Sequence, residues 1–400
     1  MTQRMQELEK QVAELKAALA SMKTSPPPEA APAAPAAAAA ATPAPAAPSP
    51  ITITSLLGST TLSGFIDGYY GLNFNHPASH TSQLRNFDIE TNQFGLNMIE
   101  LIADKAPDAT ASRLGYHVSL GFGQAMNTVN VLEGHDTSGV GQFDQYLKEG
   151  YLSYLVKVGK GLQVDAGKFV TPAGAEVIET KDNWNYSRGL LFAWAIPYYH
   201  YGLRAKYTFN DKAAVTGYVL NGWNNVIDNN SGKTVAVSLA LTPTKKFGFI
   251  ENYIGGPEGT NNNADWRQLS DTVVTFNPTG KLSLMANLDY GRGDKVSTSP
   301  DPAFWTGVAG YVRYAATGTV ALTGRYEYFD DHDGFETLTA QHLHEFTGTL
   351  ERTIASHLIT RLEFRRDMSN QAVFQKGQGF DKNQNTLTSG LILTFDTTGK

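Results

Sequence analysis

The 400-residue chain has no cysteine, which excludes disulfides and thiolate metal sites. It has no run of about 18 apolar residues, so no part of it reads as a transmembrane helix. No apolar h-region follows Met1, so a secretory signal is expected either to have been removed or to lie upstream of this start. Charge is sparse, with 18% Asp, Glu, Lys and Arg and a net charge of −6, which gives no reason to expect a nucleic-acid partner. None of these absences disfavours a transmembrane β-barrel. Strands of that kind carry a much weaker hydropathy signal than a spanning helix.

Aromatics and glycine are plentiful: 18 Tyr, 20 Phe and 38 Gly. Together they suggest strands joined by tight turns. The chain divides into three zones. Residues 1–23 carry a heptad pattern, with Met5, Val12 and Leu19 on one seam and Leu8, Leu15 and Met22 on the other. A short coiled coil is the first reading, and a surface helix of a monomer is the other. Residues 24–50 are almost only Pro and Ala, which predicts an extended, semi-rigid linker. Residues 51–400 read as strand after strand.

About 16 strands are expected, the even count usual for bacterial outer-membrane barrels. They centre on 61–74, 93–103, 111–123, 146–158, 161–170, 197–208, 212–222, 234–242, 247–255, 268–276, 281–291, 304–314, 319–329, 342–352, 358–367 and 386–396. Alternation is clear in most. Over 281–291, Leu282, Leu284, Ala286, Leu288 and Tyr290 oppose Ser283, Asn287 and Asp289. Over 358–365, Leu358, Leu362 and Phe364 oppose Arg361, Glu363 and Arg365. Leu203, Ala205, Tyr207 and Phe209 oppose Arg204, Lys206 and Thr208. Short turns (VGKG, FNDK, TPTKK, NPTGK, AATGT) alternate with long polar links at 124–144, 171–196, 256–267, 292–303 and 368–385. That sorting matches short periplasmic turns and long extracellular loops.

Two environments fit such alternation. A soluble sandwich buries the apolar face. A membrane barrel turns it to lipid and keeps the polar face wet. Three features favour the barrel: many strands reach about ten residues, the apolar face is rich in Gly and Ala, and aromatics gather at strand ends. The last are Tyr69, Tyr70, Phe74, Tyr290, Tyr314, Tyr326, Tyr328, Phe329 and Phe395, of which those facing outward suit an interfacial girdle. The expected fold is therefore all-β: a transmembrane antiparallel β-barrel preceded by a short coiled-coil helix. Closure is required because hydrocarbon offers no partner for an unpaired backbone group.

The stretch KFVTPAGAEVIETKDNWNYSRGLLFAWAIPYYHYGLR (168–204) closely resembles the outer-membrane family known as putative β-barrel porin type 2. GFIDGYYGLNFN (64–75) looks like that family's first strand, and VLNGWNNVIDNNSGKT (219–234) resembles its mid-barrel strand and loop. The resemblance covers roughly 60–400. It implies passive passage of small solutes and brings no established selectivity residues.

The loop 171–196 holds Glu176, Glu179, Lys181, Asp182 and Arg188, followed by LLFAWAIP. An exposed loop would not carry Leu190, Leu191, Phe192 and Trp194 to water. It is expected to fold into the barrel mouth and narrow the channel; packing on a neighbouring subunit or over the rim is the alternative. Expected channel-lining positions are Asp67, Arg113, Arg204, Lys206, Asp289, Arg313, Arg325, Glu327, Arg361, Glu363 and Arg365. Such charges set selectivity, or pair across strands. His342 and His344 share one strand face, but no further ligand is placed, and no metal site or cofactor is expected. GLQVDAGK (161–168) has one residue too many for a phosphate loop and lies in a strand. RGD at 292–294 reads as a polar turn. No G-x-S-x-G elbow occurs, so no enzyme is expected.

The function expected is that of a porin in the bacterial outer membrane, with its N-terminal segment in the periplasm. Small hydrophilic solutes or ions would pass by diffusion through a water-filled lumen. Its partners would be outer-membrane lipid, other copies in a homo-oligomer (a trimer favoured) and small solutes. The alternative is a structural protein tethering the membrane to the cell wall through the N-terminal helix.

Overall fold

The computed structural model describes residues 58–131, 144–294 and 301–398. The heptad segment and the Pro/Ala linker lie outside the described residues. Sixteen strands close into one antiparallel barrel. They are β1 (Thr61–Asn73), β2 (Gln93–Lys105), β3 (Leu114–Phe122), β4 (Leu147–Val156), β5 (Leu162–Val170), β6 (Tyr199–Asn210), β7 (Ala213–Leu220) and β8 (Thr234–Thr244). There follow β9 (Phe247–Gly259), β10 (Asn262–Phe276), β11 (Leu282–Gly293), β12 (Ala303–Ala315), β13 (Val320–Asp331), β14 (Gln341–Ala355) and β15 (Leu358–Ser369). A small separate hairpin, β16 (Phe374–Lys376) and β17 (Gly379–Asp381), precedes the last barrel strand, β18 (Asn383–Asp396). Each barrel strand pairs with its neighbour in sequence, and β18 pairs with β15 and β1 to close the ring. Both ends of the barrel chain lie at the short-turn end.

The alternation resolves as lipid outside and polar groups inside. On β15, Leu362 and Phe364 are 48% and 47% exposed, whereas Arg361, Glu363 and Arg365 between them are buried. On β13, Leu322 and Tyr326 are exposed and Arg325 and Glu327 are buried. A soluble sandwich would show the reverse. Outward aromatics form two belts. Tyr70, Phe94, Tyr201, Tyr253, Trp266, Tyr290 and Tyr326 lie toward the long-loop end, and Tyr154, Phe209, Phe247, Phe276, Tyr314 and Phe395 toward the short-turn end. Tyr69 and Phe329 instead point inward and are buried. His342 and His344 face outward at the long-loop belt. His342 pairs with Asp330 at 3.0 Å, and His344 meets the Tyr326 hydroxyl at 3.0 Å.

Between the belts the outer wall is largely apolar, and a polar cluster interrupts it on β9 and β10. The outward Glu251 accepts hydrogen bonds from the hydroxyls of Ser270 (2.9 Å) and Thr272 (2.6 Å), and Tyr253 donates to Gln268 nearby at 3.0 Å.

Two expectations about connections need revision. Residues 256–267 are not a long link. β9 and β10 extend as one hairpin whose tip is Thr260–Asn261. Asn261 takes a positive φ of 54°, a turn conformation that Asn tolerates. The link after β3 is also not wholly irregular, because it opens with a short helix, α1 (Gln124–Val129).

Candidate functional site: a loop folded into the barrel

The connection between β5 and β6 does not extend into solvent. It runs through the barrel interior, and Leu190, Leu191, Phe192 and Ile196 are at most 4% exposed. Phe192 packs against Phe87 of the β1–β2 loop and against Tyr198. The Asn86 amide donates to Ala193 O at 2.7 Å, and Trp194 Nε1 donates to Leu84 O at 3.2 Å. The apolar piece thus forms a core in the barrel mouth, shared with a second loop.

An irregular segment in a barrel interior must satisfy its own backbone, because no strand ladder does so. The loop solves part of this internally. Asn183 bonds both the N–H and the C=O of Val177, at 2.9 and 2.7 Å. Arg188 donates to the Thr180 hydroxyl and Tyr186 O, and closely to Ile178 O, while its guanidinium lies 4.4 Å from the Phe87 ring centroid.

The barrel wall supplies the rest, with arginines for carbonyls and carboxylates for amides. Arg361 donates to three loop carbonyls, those of Thr180, Asn183 and Asn185, at 2.6–2.9 Å. Glu363 accepts from the amides of Tyr186 (2.6 Å) and Ser187 (2.9 Å). Glu327 accepts from the amides of Leu190 (2.5 Å) and Leu191 (3.4 Å). Arg365 donates to Arg188 O at 2.6 Å, and Arg325 to Ser187 O at 2.7 Å. Arg325 also pairs with Glu176 of the loop (2.6 Å) and Glu345 of β14 (2.8 Å). Asp67 on β1 accepts from the Thr180 hydroxyl (2.6 Å), the Tyr186 hydroxyl (2.8 Å) and Asn97 (2.5 Å). Side chains two apart on a strand share a face at about 6–7 Å spacing. An Arg–Glu–Arg run on β15 can therefore follow an extended loop backbone group by group.

These contacts sort the eleven inward positions. Asp67, Arg325, Glu327, Arg361, Glu363 and Arg365 grip the loop and are buried beneath it. Asp289 is buried as well, in a polar cluster with Asn287 and Asp271. The other four lie elsewhere. Arg204 pairs with Asp165 at 2.7 Å and stacks on Tyr151 and Phe169. Arg313 pairs with Glu351 at 2.6 Å, and Lys206 is exposed on β6. Arg113, just before β3, donates to Leu155 O at 2.8 Å at the short-turn end. Of the five loop charges, Glu176 and Arg188 are buried in the grip, Glu179 binds Lys148 closely, and Lys181 and Asp182 pair with each other at 2.5 Å. Sequence reasoning missed Glu100, which pairs with Lys148 at 2.5 Å. It also missed the buried Arg85, which pairs with Asp88 (2.7 Å) and Asp367 (2.9 Å) and lies in an unpatterned loop.

A family model described as "Putative beta-barrel porin-2, OmpL-like" matches residues 59–395. The chain belongs to this family. The match begins just before β1 and ends inside β18, so it spans the whole closed barrel. Among solved structures, OmpF of Salmonella typhi, in complex with daunomycin, superposes with a TM-score of 0.57 at 11% identity, covering 84% of this chain and 97% of that one. The anion-selective porin of Comamonas acidovorans gives 0.56 at 11%, covering 84% and 99%. A trimer form of Vibrio cholerae OmpT gives 0.55 at 12%, covering 84% and 99%. At such identities the likeness is one of fold. No curated protein matches the chain.

Proposed function

We propose that the protein is an outer-membrane porin through which small hydrophilic solutes and ions diffuse passively, with the 171–198 loop as its constriction. The observation that carries this reading is the inverted barrel, greasy outside and charged inside, with a loop held across its interior. In this reading Lys206, Arg204 and Arg313 line the water-facing passage together with Arg113. Lys181 and Asp182 present the loop's exposed charges to it. Glu176, Glu179 and Arg188 hold the loop in shape. Asp67, Asp289, Arg325, Glu327, Arg361, Glu363 and Arg365 form the wall behind it.

The protein is further read as a homo-oligomer, with a trimer favoured. The outward cluster of Glu251, Gln268, Ser270 and Thr272 supports this. A carboxylate facing hydrocarbon is unfavourable, and a second copy of the chain seated on β9 and β10 would remove it from lipid. The trimer form of the Vibrio cholerae neighbour agrees. Residues 1–23 and 24–50 are read as a periplasmic coiled coil and linker, which leaves open a structural role in tethering the outer membrane to the cell wall.

Planar-bilayer recording tests these points together. A porin gives open-channel steps, and a trimer gives them in groups of three per insertion. Deleting residues 1–50 should leave the unit conductance unchanged. A barrel that never conducts would leave the tethering role as the surviving account.

A further inference from the structure

Above the in-folded loop, at the long-loop end, is a cavity of about 850 Å³. Its walls come from several loops and from the upper ends of β9 and β10, and the residues gripping the loop take no part in it. Arg267 on β10 projects into it. The guanidinium is stacked between two rings, 4.9 Å from Trp223 and 4.6 Å from Phe335. Phe335 in turn stacks on Trp305 at 5.4 Å. This shelf needs Gly291, where a Cβ would stand 1.8 Å from the Trp305 ring. The arginine is therefore rigidly presented. Yet among the described residues its guanidinium forms no hydrogen bond and no ion pair, and its Nε is buried without a partner.

The same cavity holds the opposite case. Glu336, from the β13–β14 loop, has Oε1 buried and without a partner. No ion pair joins Glu336 to Arg267. Glu258 also lines the cavity, but its two oxygens already accept from Trp223 N (2.9 Å) and the Thr234 hydroxyl (2.6 Å). The site thus keeps one cation and one acid, each half-buried, with Arg267 Nε and Glu336 Oε1 out of water and unpartnered and no direct bond between the two side chains. A buried polar atom without a hydrogen bond is costly, and a partner of matching chemistry recovers that cost. An anion would satisfy Arg267 and leave Glu336 bare, and a cation would do the reverse. The rest of the lining includes Leu96, Val131, Ile196 and the half-buried Trp194, which provide an apolar patch.

We infer that this vestibule is a binding site for a small zwitterion with an aliphatic side chain, an α-amino acid or a short peptide. Its carboxylate meets Arg267 and its ammonium meets Glu336. The inference deepens the porin reading and rests on it for its meaning, since the site would collect such solutes ahead of the constriction.

The test is calorimetric titration of the full chain in detergent with three probes: L-leucine, L-leucinamide (no carboxylate) and N-acetyl-L-leucine (no ammonium). Leucine should bind about tenfold or more tighter than either analogue, as expected when one charge-assisted hydrogen-bond pair is lost. Arg267→Gln should bring leucine down to the level of leucinamide. Arg267→Lys, which keeps the charge, should hold most of the affinity and shows that the barrel tolerates substitution there. Glu336→Gln should bring leucine down to the level of N-acetyl-leucine. Equal binding of the three probes to the unmodified protein, or no binding of leucine, overturns the inference without recourse to any variant. Open-channel steps without leucine binding would sink this site and leave the porin reading standing. Leucine binding by a barrel that never conducts would do the opposite.

Discussion

The wall of β13, β14, β15, β18 and β1 and the wall of β5 to β8 are built by the same two-residue alternation. On the first, the inward side chains are long and charged: Arg325, Glu327, Glu345, Arg361, Glu363, Arg365 and Asp67. All of these are buried. On the second, they are mostly small, with Ala214 and Thr216 on β7 and Ala236, Ser238 and Ala240 on β8. Charge there is thin. Arg204 is neutralised by Asp165, and Lys206 stands exposed without an ion pair among the described residues. The comparison teaches that charge density along a barrel interior need not mark the path of solutes. Here the dense wall binds a loop backbone, and in the proposed porin it is the sparse wall that would border the passage.

The largest expected effect comes from breaking the grip. Arg361→Ala removes three donors to loop carbonyls at once. Glu351, its ion-pair partner, keeps Arg313 at 2.6 Å, so the loss falls on the loop. Breaking a buried charge-assisted set costs about 3–5 kcal/mol. The loop should then leave the lumen, seen as a several-fold rise in unit conductance and new protease cleavage within 171–198. A variant with normal conductance and a protected loop would show that the two walls do not differ in this way.

A smaller effect is expected from Glu336, in the loop joining β13 to β14 on the gripping side. Burial pushes its carboxyl up to about 7; Arg267 opposes the rise and Asp331 adds to it. A carboxyl raised in the folded state contributes stability that is fully present below its ordinary value near 4.5 and is lost as pH rises through about 7. Between pH 6 and 8 the protein should therefore lose on the order of 1–2 kcal/mol after allowance for screening. The Glu336→Gln variant should lose none of it. Thermal melts of both forms at the two pH values check this, and parallel pH trends would refute it.

How much of this was legible in the sequence follows from what alternation can encode. It fixes which side of a strand faces lipid, so the faces of 281–291, 358–365 and 203–209 and the count of barrel strands were readable. The run LLFAWAIP announced an in-folded loop because it cannot stay in water. Alternation does not say what stands opposite an inward side chain. Arg361 and Arg204 look alike in sequence, yet one meets backbone carbonyls and the other a carboxylate. The Gly, Pro and Asn of 256–267 mimic a loop, although an Asn at positive φ closes a tight hairpin there. Arg267, inside that misread stretch, gains its setting from Trp223, Phe335 and Glu336, which two different connections bring together. No local pattern announces such a site.

The sparse wall yields the smallest structural effect and the most specific functional one. Lys206 is exposed and without an ion pair, so Lys206→Glu should change stability by no more than about 0.5 kcal/mol, as at other solvated positions. The loop should stay in place and the unit conductance should remain near its starting value. What should move is selectivity. Replacing a cation by an acid on the water-facing side reverses the local charge that permeating ions meet. The reversal potential in a salt gradient should therefore shift toward cations. Glu363→Gln, on the gripping wall, should instead act on conductance and loop protection by weakening the hold on Tyr186 and Ser187. If Lys206→Glu leaves the reversal potential unmoved while Glu363→Gln shifts it, ions pass along the charged wall and the assignment of the two walls must be exchanged.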